Sequence, residues 1–278
     1  MKRLFTLCIT ICTMMTGFAQ KDTTAAKTDT IRIGGMIIIR KPGNNDGESK
    51  RDRHVIISNN KTHKPSNVST NWVIFDLGFA NYQDNTNYSS IAAQQFSPGS
   101  NDDRFKLKTG KSVNVNIWLF MQRLNVIQHV VNLQYGLGLE LNNYRFEQRD
   151  LRFHKNPTYI DIDPALTATY VKKNKLAADY VTVPLMLNFN FTPGHGRGFG
   201  LSAGISAGYL YSARQKTKIG HDIDKLHDDF DLERWKLSYI GEVNLGPIRL
   251  YGSYAMKNMW SKGLDQKPYT VGLRFSNW

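Results

Sequence analysis

The densest group of residue types that could bind a metal ion lies between positions 221 and 229. Imidazole nitrogens and carboxylate oxygens bind zinc, and carboxylate oxygens also bind calcium. The spacing here differs from that of a calcium-binding loop, and exposed loops commonly have this composition. We therefore assign no metal ligand to this segment. Its histidines and aspartates are His221, Asp222, Asp224, His227, Asp228 and Asp229.

Two other patterns resemble a cofactor site and a hydrolase site. Residues 198–203 fit the glycine fingerprint of dinucleotide-binding proteins, but that motif needs a following helix, and here alternating apolar residues follow. His129 falls at a predicted strand end, and His154, His221 and His227 fall in predicted loops without a nucleophile elbow. We predict that the protein is not an enzyme and assign no catalytic, cofactor-binding or metal-binding residue. A lipid-modifying barrel hydrolase is kept as an alternative.

The elements that would position any site are strands, because apolar residues recur at every second position from Asn71 onward. On the second strand the apolar face runs from Val113 to Met121, and the other face carries Ser112 and Asn114. On the fifth strand the second face consists of glycine and serine alone. The eight predicted strands cover 71–79, 112–122, 131–142, 181–191, 199–211, 235–245, 248–256 and 269–278.

The connections between these strands alternate between long and short. The long, polar connections are 83–109, 147–175 and 214–232; the short ones are 123–128, 192–197 and 246–247; the last, 258–267, is intermediate. Outer-membrane barrels have short periplasmic turns and long outer loops. The sequence therefore predicts an all-β fold, an eight-stranded antiparallel up-and-down transmembrane barrel. No apolar stretch after the first residues is long enough for a transmembrane helix.

Alternation alone leaves open which face is the lumen, since a soluble lipocalin-like barrel has the inverse arrangement. Continuous Leu, Val and Phe on one face and aromatic residues near strand ends favour the membrane barrel. An eight-stranded barrel is just wide enough for side chains to fill it. We interpret five inward charged residues as a polar plug, with a proton or ion path as the alternative. They are Asp76, Glu140, Glu242, Arg249 and Arg274.

The N-terminal residues indicate export. Met1–Arg3 is basic, Leu4–Met15 is apolar, and small residues at Gly17 and Ala19 suit a signal peptidase, which predicts a signal peptide over residues 1–19. Residues 20–68 form a second region, with a β-prone run at 31–40 followed by a polar linker, and residues 69–278 form the barrel. The chain's two cysteines lie in the signal, so the mature protein has none.

Several stretches resemble small outer-membrane barrel proteins of Bacteroidetes that are described as PorT-like. They are YVTVPLMLNFNF, GFGLSAGISAGYLYSARQK, NLGPIRLYGSY and the C-terminal VGLRFSNW. The resemblance covers roughly residues 69–278 and includes Tyr180 with Val183-Pro184-Leu185. Thr270, Gly272 and Phe275 match the C-terminal signal of the barrel-assembly machinery, and Trp278 lies one place beyond the expected aromatic position. The resemblance implies an outer-membrane location and no catalytic residues.

These observations predict an outer-membrane protein with a structural or surface-interaction role and a plugged lumen, which is not an open porin. The alternative is an accessory subunit of a secretion or gliding complex, as the PorT-like resemblance implies. The expected partners are outer-membrane lipid and lipopolysaccharide, the barrel-assembly machinery during insertion, and a protein bound through the N-terminal segment or the outer loops. The net charge of +13 suits anionic surface polymers. Export argues against nucleic acid, and we expect no cofactor.

Overall fold

The computed structural model describes residues 29–33, 36–40, 66–193 and 198–276. The chain divides into two units, Met1–Lys64 and Pro65–Trp278, and each is considered by itself. The predicted signal peptide and most of the predicted linker lie outside the described residues. In the first unit, β1 (Asp29–Ile33) and β2 (Met36–Arg40) pair in an antiparallel hairpin, with Ile33 opposite Met36. The β-prone run predicted at 31–40 therefore forms strands that pair with each other.

The second unit is almost entirely β. Its strands are β3 (Val68–Asp84), β4 (Val113–Ile127), β5 (Val131–Arg145), β6 (Leu151–Phe153), β7 (Ile160–Ile162), β8 (Val171–Asn190), β9 (Phe199–Ile219), β10 (Asp222–His227), β11 (Trp235–Leu245), β12 (Ile248–Ala255) and β13 (Gln266–Phe275). Two short helices, α1 (Ile91–Phe96) and α2 (Pro164–Thr167), and a 3-10 turn (Thr109–Lys111) lie in the long connections. No helix in the described part of the chain is long and apolar enough to cross a membrane.

Eight antiparallel strands close into a ring in the order β3, β4, β5, β8, β9, β11, β12 and β13. β13 pairs with β3, so the last strand closes on the first, and β10 pairs with β9 outside the ring. Every neighbour in the ring is antiparallel. The predicted eight-stranded up-and-down barrel is thus confirmed.

The predicted faces of the strands are confirmed except at Met121 and Gln122 on β4. Large apolar residues point outward and are exposed, for example Leu77, Leu185 and Val271, while polar residues point inward and are buried. Met121 was predicted on the outward face, and this is wrong, because it is fully buried inside. The pairing of β3 with β4 skips Val73 and Leu119, so the alternation reverses beyond them on both strands.

The long connections differ from the polar loops that the sequence predicts, because they contain ordered elements. β6 and β7 form a hairpin within residues 147–175, and α1 lies within 83–109. β8 begins at Val171, and β9 continues to Ile219 before it turns back into β10. The cross-strand hydrogen bonding of β8 and β9 therefore runs well past the predicted strand ends.

Candidate functional site: the barrel interior and its cap

The five charged residues predicted to point inward are all buried in the barrel, with Asp76 at 0% and Arg274 at 8% relative exposure. The register of the sheet explains why they meet. Asp76 lies opposite Arg274 on one side and Asn116 on the other, and Asn116 lies opposite Glu140. The polar face of each strand thus contributes to one layer across the lumen.

Asp76 and Arg274 form the best-ordered pair in this layer. Arg274 Nε donates to Asp76 Oδ1 at 2.7 Å, and Nη2 donates to Oδ2 at 2.8 Å, which is the bidentate geometry that strengthens an arginine–carboxylate pair. Trp118 Nε1 donates to the same Oδ2 at 2.7 Å, and Asn116 Nδ2 donates at 3.1 Å. Four donors therefore replace the water that this carboxylate would have outside the protein.

Glu242 connects this pair to a second arginine. Arg274 Nη1 donates to Glu242 Oε2 at 2.6 Å, and Arg249 Nη1 lies 3.9 Å from Oε1. Arg249 faces Asn244 across the β11–β12 turn, with Glu242 diagonal to it, as the sequence predicts. The cluster alternates acid and base, which lowers the free-energy cost of burying each charge.

Glu140 forms a separate ion pair with Lys236, a partner that the sequence analysis missed. Asn142 Nδ2 also donates to Glu140 at 3.0 Å, and the Lys236 ammonium lies 5.5 Å from the centre of the Tyr180 ring. Strict alternation on β11 could have identified Lys236, because it shares the inward face with Ser238 and Glu242. The spacing of residues along one strand does not show which residue of another strand it meets across the lumen.

Aromatic side chains fill the space between these polar groups. The Arg274 guanidinium lies 5.5 Å from the Trp118 ring centre and 6.0 Å from that of Tyr251. A Cβ at Gly138 would lie 2.6 Å from the Trp118 ring, so glycine is needed there for the indole to cross the lumen. The cavity that remains beside Trp118 measures about 30 Å³, room for about one water molecule.

Above this layer the long connections pack into an apolar core, which we call the cap. Phe153 contacts Phe230 at 5.3 Å between ring centres and Phe146 at 5.9 Å, and Trp260 contacts Phe96 at 5.2 Å. Asn174 on β8 and Gln215 on β9 donate to the carbonyl of Leu151 at 2.6 and 2.7 Å, which fixes the β6–β7 hairpin above the lumen. The cap core contains Tyr88, Phe96, Phe105, Leu107, Tyr144, Phe146, Leu151, Phe153, Ile160, Phe230, Leu232, Met259, Trp260 and Leu264.

The histidine and aspartate residues of 221–229 lie at the far edge of the cap. Asp222, Asp224 and His227 are on the exposed strand β10, where the extended backbone spreads the side chains apart. Asp224 lies 3.7 Å from Arg152, and Asp229 lies 3.6 Å from Arg234. Across the described residues, no group of three or more His, Cys, Asp or Glu side chains is arranged to hold a metal ion.

The other residues considered for chemistry are held apart. His154 Nε2 bonds Asp161 Oδ1 at 2.8 Å, and its ring stacks on Tyr159 at 4.1 Å, within the β6–β7 hairpin. His129 lies in the β4–β5 turn, at the end of the barrel away from the cap. The glycine fingerprint at 198–203 continues as strand β9 rather than as a helix, so it forms no dinucleotide site.

Comparison with known protein families decides what kind of barrel this is. Residues 75–257 match the family described as outer membrane protein beta-barrel domain, and this is well over half of the chain. The chain belongs to this family. It is therefore an outer-membrane β-barrel, in agreement with the closed ring and the exposed apolar faces described above.

Other comparisons are more distant. The crystal structure of Ail, the attachment invasion locus protein of Yersinia pestis, is similar with 12% sequence identity and a TM-score of 0.31, over 74% of this chain and 98% of Ail. So distant a likeness adds no argument to those above. No curated protein sequence matches the chain significantly.

Proposed function

We propose that this protein is a non-conducting outer-membrane barrel with a structural or surface-interaction role, and that its lumen is plugged by its own side chains. One observation supports this above the others. The layer of paired charges from Asp76 to Lys236 spans the lumen, and the cap lies over the same opening. An ion crossing the barrel would have to displace both, whereas a porin has a water-filled channel.

The test is conductance in a planar lipid bilayer containing the purified full chain. We expect no stepwise currents, whereas stable current steps would contradict a plugged lumen. A cap variant, Leu151→Ala, sharpens the test, because loosening the cap leaves the charged layer in place. This variant should also show no stepwise currents. Current steps seen only with this variant would show that the cap alone closes the barrel.

We propose further that the cap faces the cell exterior, after cleavage of a signal peptide over residues 1–19. The support is the length of the connections, since outer-membrane barrels have their long loops outside. A mature chain without cysteine allows a direct test by labelling intact cells with an impermeant thiol reagent. Asp224→Cys in the cap should react and Gly246→Cys in a short turn should not. The reverse pattern would invert the orientation.

The ordered cap supports the surface-interaction role. Loops built around an apolar core present a fixed exterior surface, and fixed surfaces lose less conformational entropy when they bind a partner. Crosslinking and mass spectrometry of the protein in its own membrane tests this role. Reproducible crosslinks to one partner through cap residues are the expected result, and crosslinks confined to the assembly machinery would contradict it.

A second candidate is an accessory subunit of a secretion or gliding complex in Bacteroidetes. The hairpin of β1 and β2, which belongs to the first unit, favours it, together with the PorT-like resemblance. The full chain should then co-purify with a stoichiometric partner that is lost when residues 20–64 are deleted. No observation favours a barrel hydrolase. The described hydrogen bonds of His154 are with Asp161 and with the Tyr159 carbonyl rather than with a nucleophile.

A further inference from the structure

Four neighbouring strands bring basic residues into one row on the outside of the barrel wall, beside the cap. Arg145 on β5 lies opposite Lys175 on β8, Lys175 lies opposite Lys216 on β9, and Lys216 lies opposite Lys225 on β10. A second pair, Lys173 with Lys218, lies two residues further along β8 and β9. We call these six residues the basic ladder.

The ladder lies on the outward face of the sheet. Residues directly opposite in a sheet share a face, and their sequence neighbours point the other way. The neighbours of Lys175 and Lys216, namely Asn174, Leu176, Gln215 and Thr217, are buried beneath the cap. Lys225 is exposed and Lys216 is partly exposed, so their ammonium groups face the surroundings of the barrel.

Like charges directly opposite each other destabilise a sheet, so an anion bound beside these residues would stabilise the arrangement. Across residues 66–193 and 198–276, none of the six forms a salt bridge. The nearby carboxylate of Asp179 is paired with Arg214. Burial, with repulsion from Lys173 and Lys216, lowers the pKa of Lys175 to about 8. Asp179 still attracts Lys175 at longer range, and Lys175 donates a hydrogen bond to Asn143 Oδ1, but within the described residues no carboxylate forms an ion pair with the ladder.

The height of the ladder above the membrane indicates where that anion comes from. The exposed apolar residues of β8 end at Val181, and Tyr209 and Trp235 on neighbouring strands form an outward ring pair at 5.0 Å near the same level. Lys175 lies six residues beyond Val181. At about 3.3 Å per residue and a strand tilt near 40°, this places it about 15 Å above the apolar band. The polar headgroup region extends only about 5–8 Å beyond the hydrocarbon core, so this is the level of sugars attached to the headgroups.

We propose that the basic ladder binds the phosphate and carboxylate groups on the headgroup sugars of lipopolysaccharide. This rests on the proposed outward orientation of the cap. Lysine binds phosphate as a compact point charge, and a row of lysines on the side wall faces molecules anchored in the same leaflet. A soluble polyanion would more readily meet the top of the cap, whereas the ladder points sideways along the membrane plane.

The test is binding of purified lipopolysaccharide to the full chain in nanodiscs of neutral lipid. The ladder variant replaces Lys175, Lys216 and Lys225 with glutamine. The control replaces Lys257, Lys262 and Lys267, which lie on and before β13 across the ring, so both variants lose the same charge. A heat-dependent shift on a denaturing gel verifies that both fold. We expect affinity to fall about tenfold or more in the ladder variant and less than about twofold in the control.

Two further probes identify the chemistry. Dephosphorylated lipopolysaccharide should bind the unmodified protein about tenfold more weakly. Equal losses in both lysine variants, or undiminished binding of the dephosphorylated lipid, would overturn the proposal. So would a soluble sulphated polysaccharide that binds through the ladder as tightly as the lipid. Because nanodiscs expose both faces, binding is measured independently of the cysteine labelling, and a failure of the orientation is distinguishable from a failure of the ladder.

Discussion

β8 and β9 pass through two regions in which opposite kinds of residue face outward, apolar in one and charged in the other. From Val181 to Phe189, the outward residues of β8 are all apolar, and the inward residues are Thr182, Pro184, Met186 and Asn188. Past Tyr180 the inner residue Leu176 is apolar and fully buried in the cap, and the outer residue Lys175 is charged. The pairing of β8 with β9 shifts at this point, between Asp179 and Tyr180.

This reversal shows that the medium outside the wall decides which residues face it. In the lower region lipid surrounds the barrel, so apolar side chains face outward and the polar groups satisfy each other inside. In the upper region the surroundings are polar, so the ordinary arrangement of a soluble domain returns, with an apolar core. The two regions therefore depend on different forces, and substitutions should affect them differently.

The largest effect is expected from Asp76→Ala in the lower region. The substitution leaves the buried Arg274 without its bidentate partner, and breaking a buried pair typically costs about 3–5 kcal/mol. Equilibrium unfolding by urea in lipid vesicles measures the loss. Asp103→Ala is the control, because its pair with Lys106 is exposed and should contribute less than about 1 kcal/mol. Similar losses in both variants would mean that the interior pairs do not stabilise the barrel.

The corresponding change in the upper region is Leu151→Ala. Leu151 is fully buried in the cap, and truncation of a buried leucine costs about 2–5 kcal/mol. We expect the cap to open and be cut by protease added to reconstituted vesicles, while the gel shift of the folded barrel is retained. Ile91→Ala is the control, since Ile91 is 78% exposed. If the barrel itself unfolds together with the cap, the two regions are a single cooperative unit.

The membrane boundary between the regions is tested by arginine on the outward face. Leu185 lies at the middle of the apolar band of β8, so Leu185→Arg should cost about 2–4 kcal/mol in lipid vesicles. Leu185→Ala should cost much less, because only apolar contact is lost. Tyr170→Arg in the upper region should stay within about 0.5 kcal/mol, since Tyr170 is 72% exposed. Equal tolerance at Leu185 and Tyr170 would contradict the placement of the boundary.

The lower region was predictable because its alternation is regular. Phe75, Leu77 and Phe79 face outward and Asp76 inward, and these faces followed directly from the period of two. Met121 was misplaced because a paired irregularity on two strands leaves no mark in the spacing of apolar residues. The partner of Glu140 was missed because Lys236 is distant in sequence and meets Glu140 only across the lumen.

The upper region was not predictable in the same way. Its core is assembled from single aromatic residues such as Phe105, Phe153 and Phe230, which are separated by polar segments and come from different connections. Nothing periodic marks such residues, and their contacts are set by how the loops fold over the lumen. The basic ladder has the same origin, because its charges become neighbours only through the register of four strands.

The smallest effect concerns the charge that anchors α2 in the cap. Asp163 accepts from Ala165 N at 2.9 Å and pairs with Arg152 at 2.8 Å, and this hydrogen bond from the guanidinium lowers the Asp163 pKa below its usual 3.8. A depressed pKa stabilises the folded state at pH values above 3.8, and that stabilisation is lost as the pH falls through the folded value. Asp163→Asn keeps the helix cap and removes the charge, so at pH 7 it should cost less than about 1 kcal/mol of stability.

Hydrogen exchange of residues 151–167 measures this loss of cap stability. The difference from the unmodified protein should shrink as the pH falls below 3.8, and a difference that stays constant would show that the ion pair with Arg152 does not stabilise the cap.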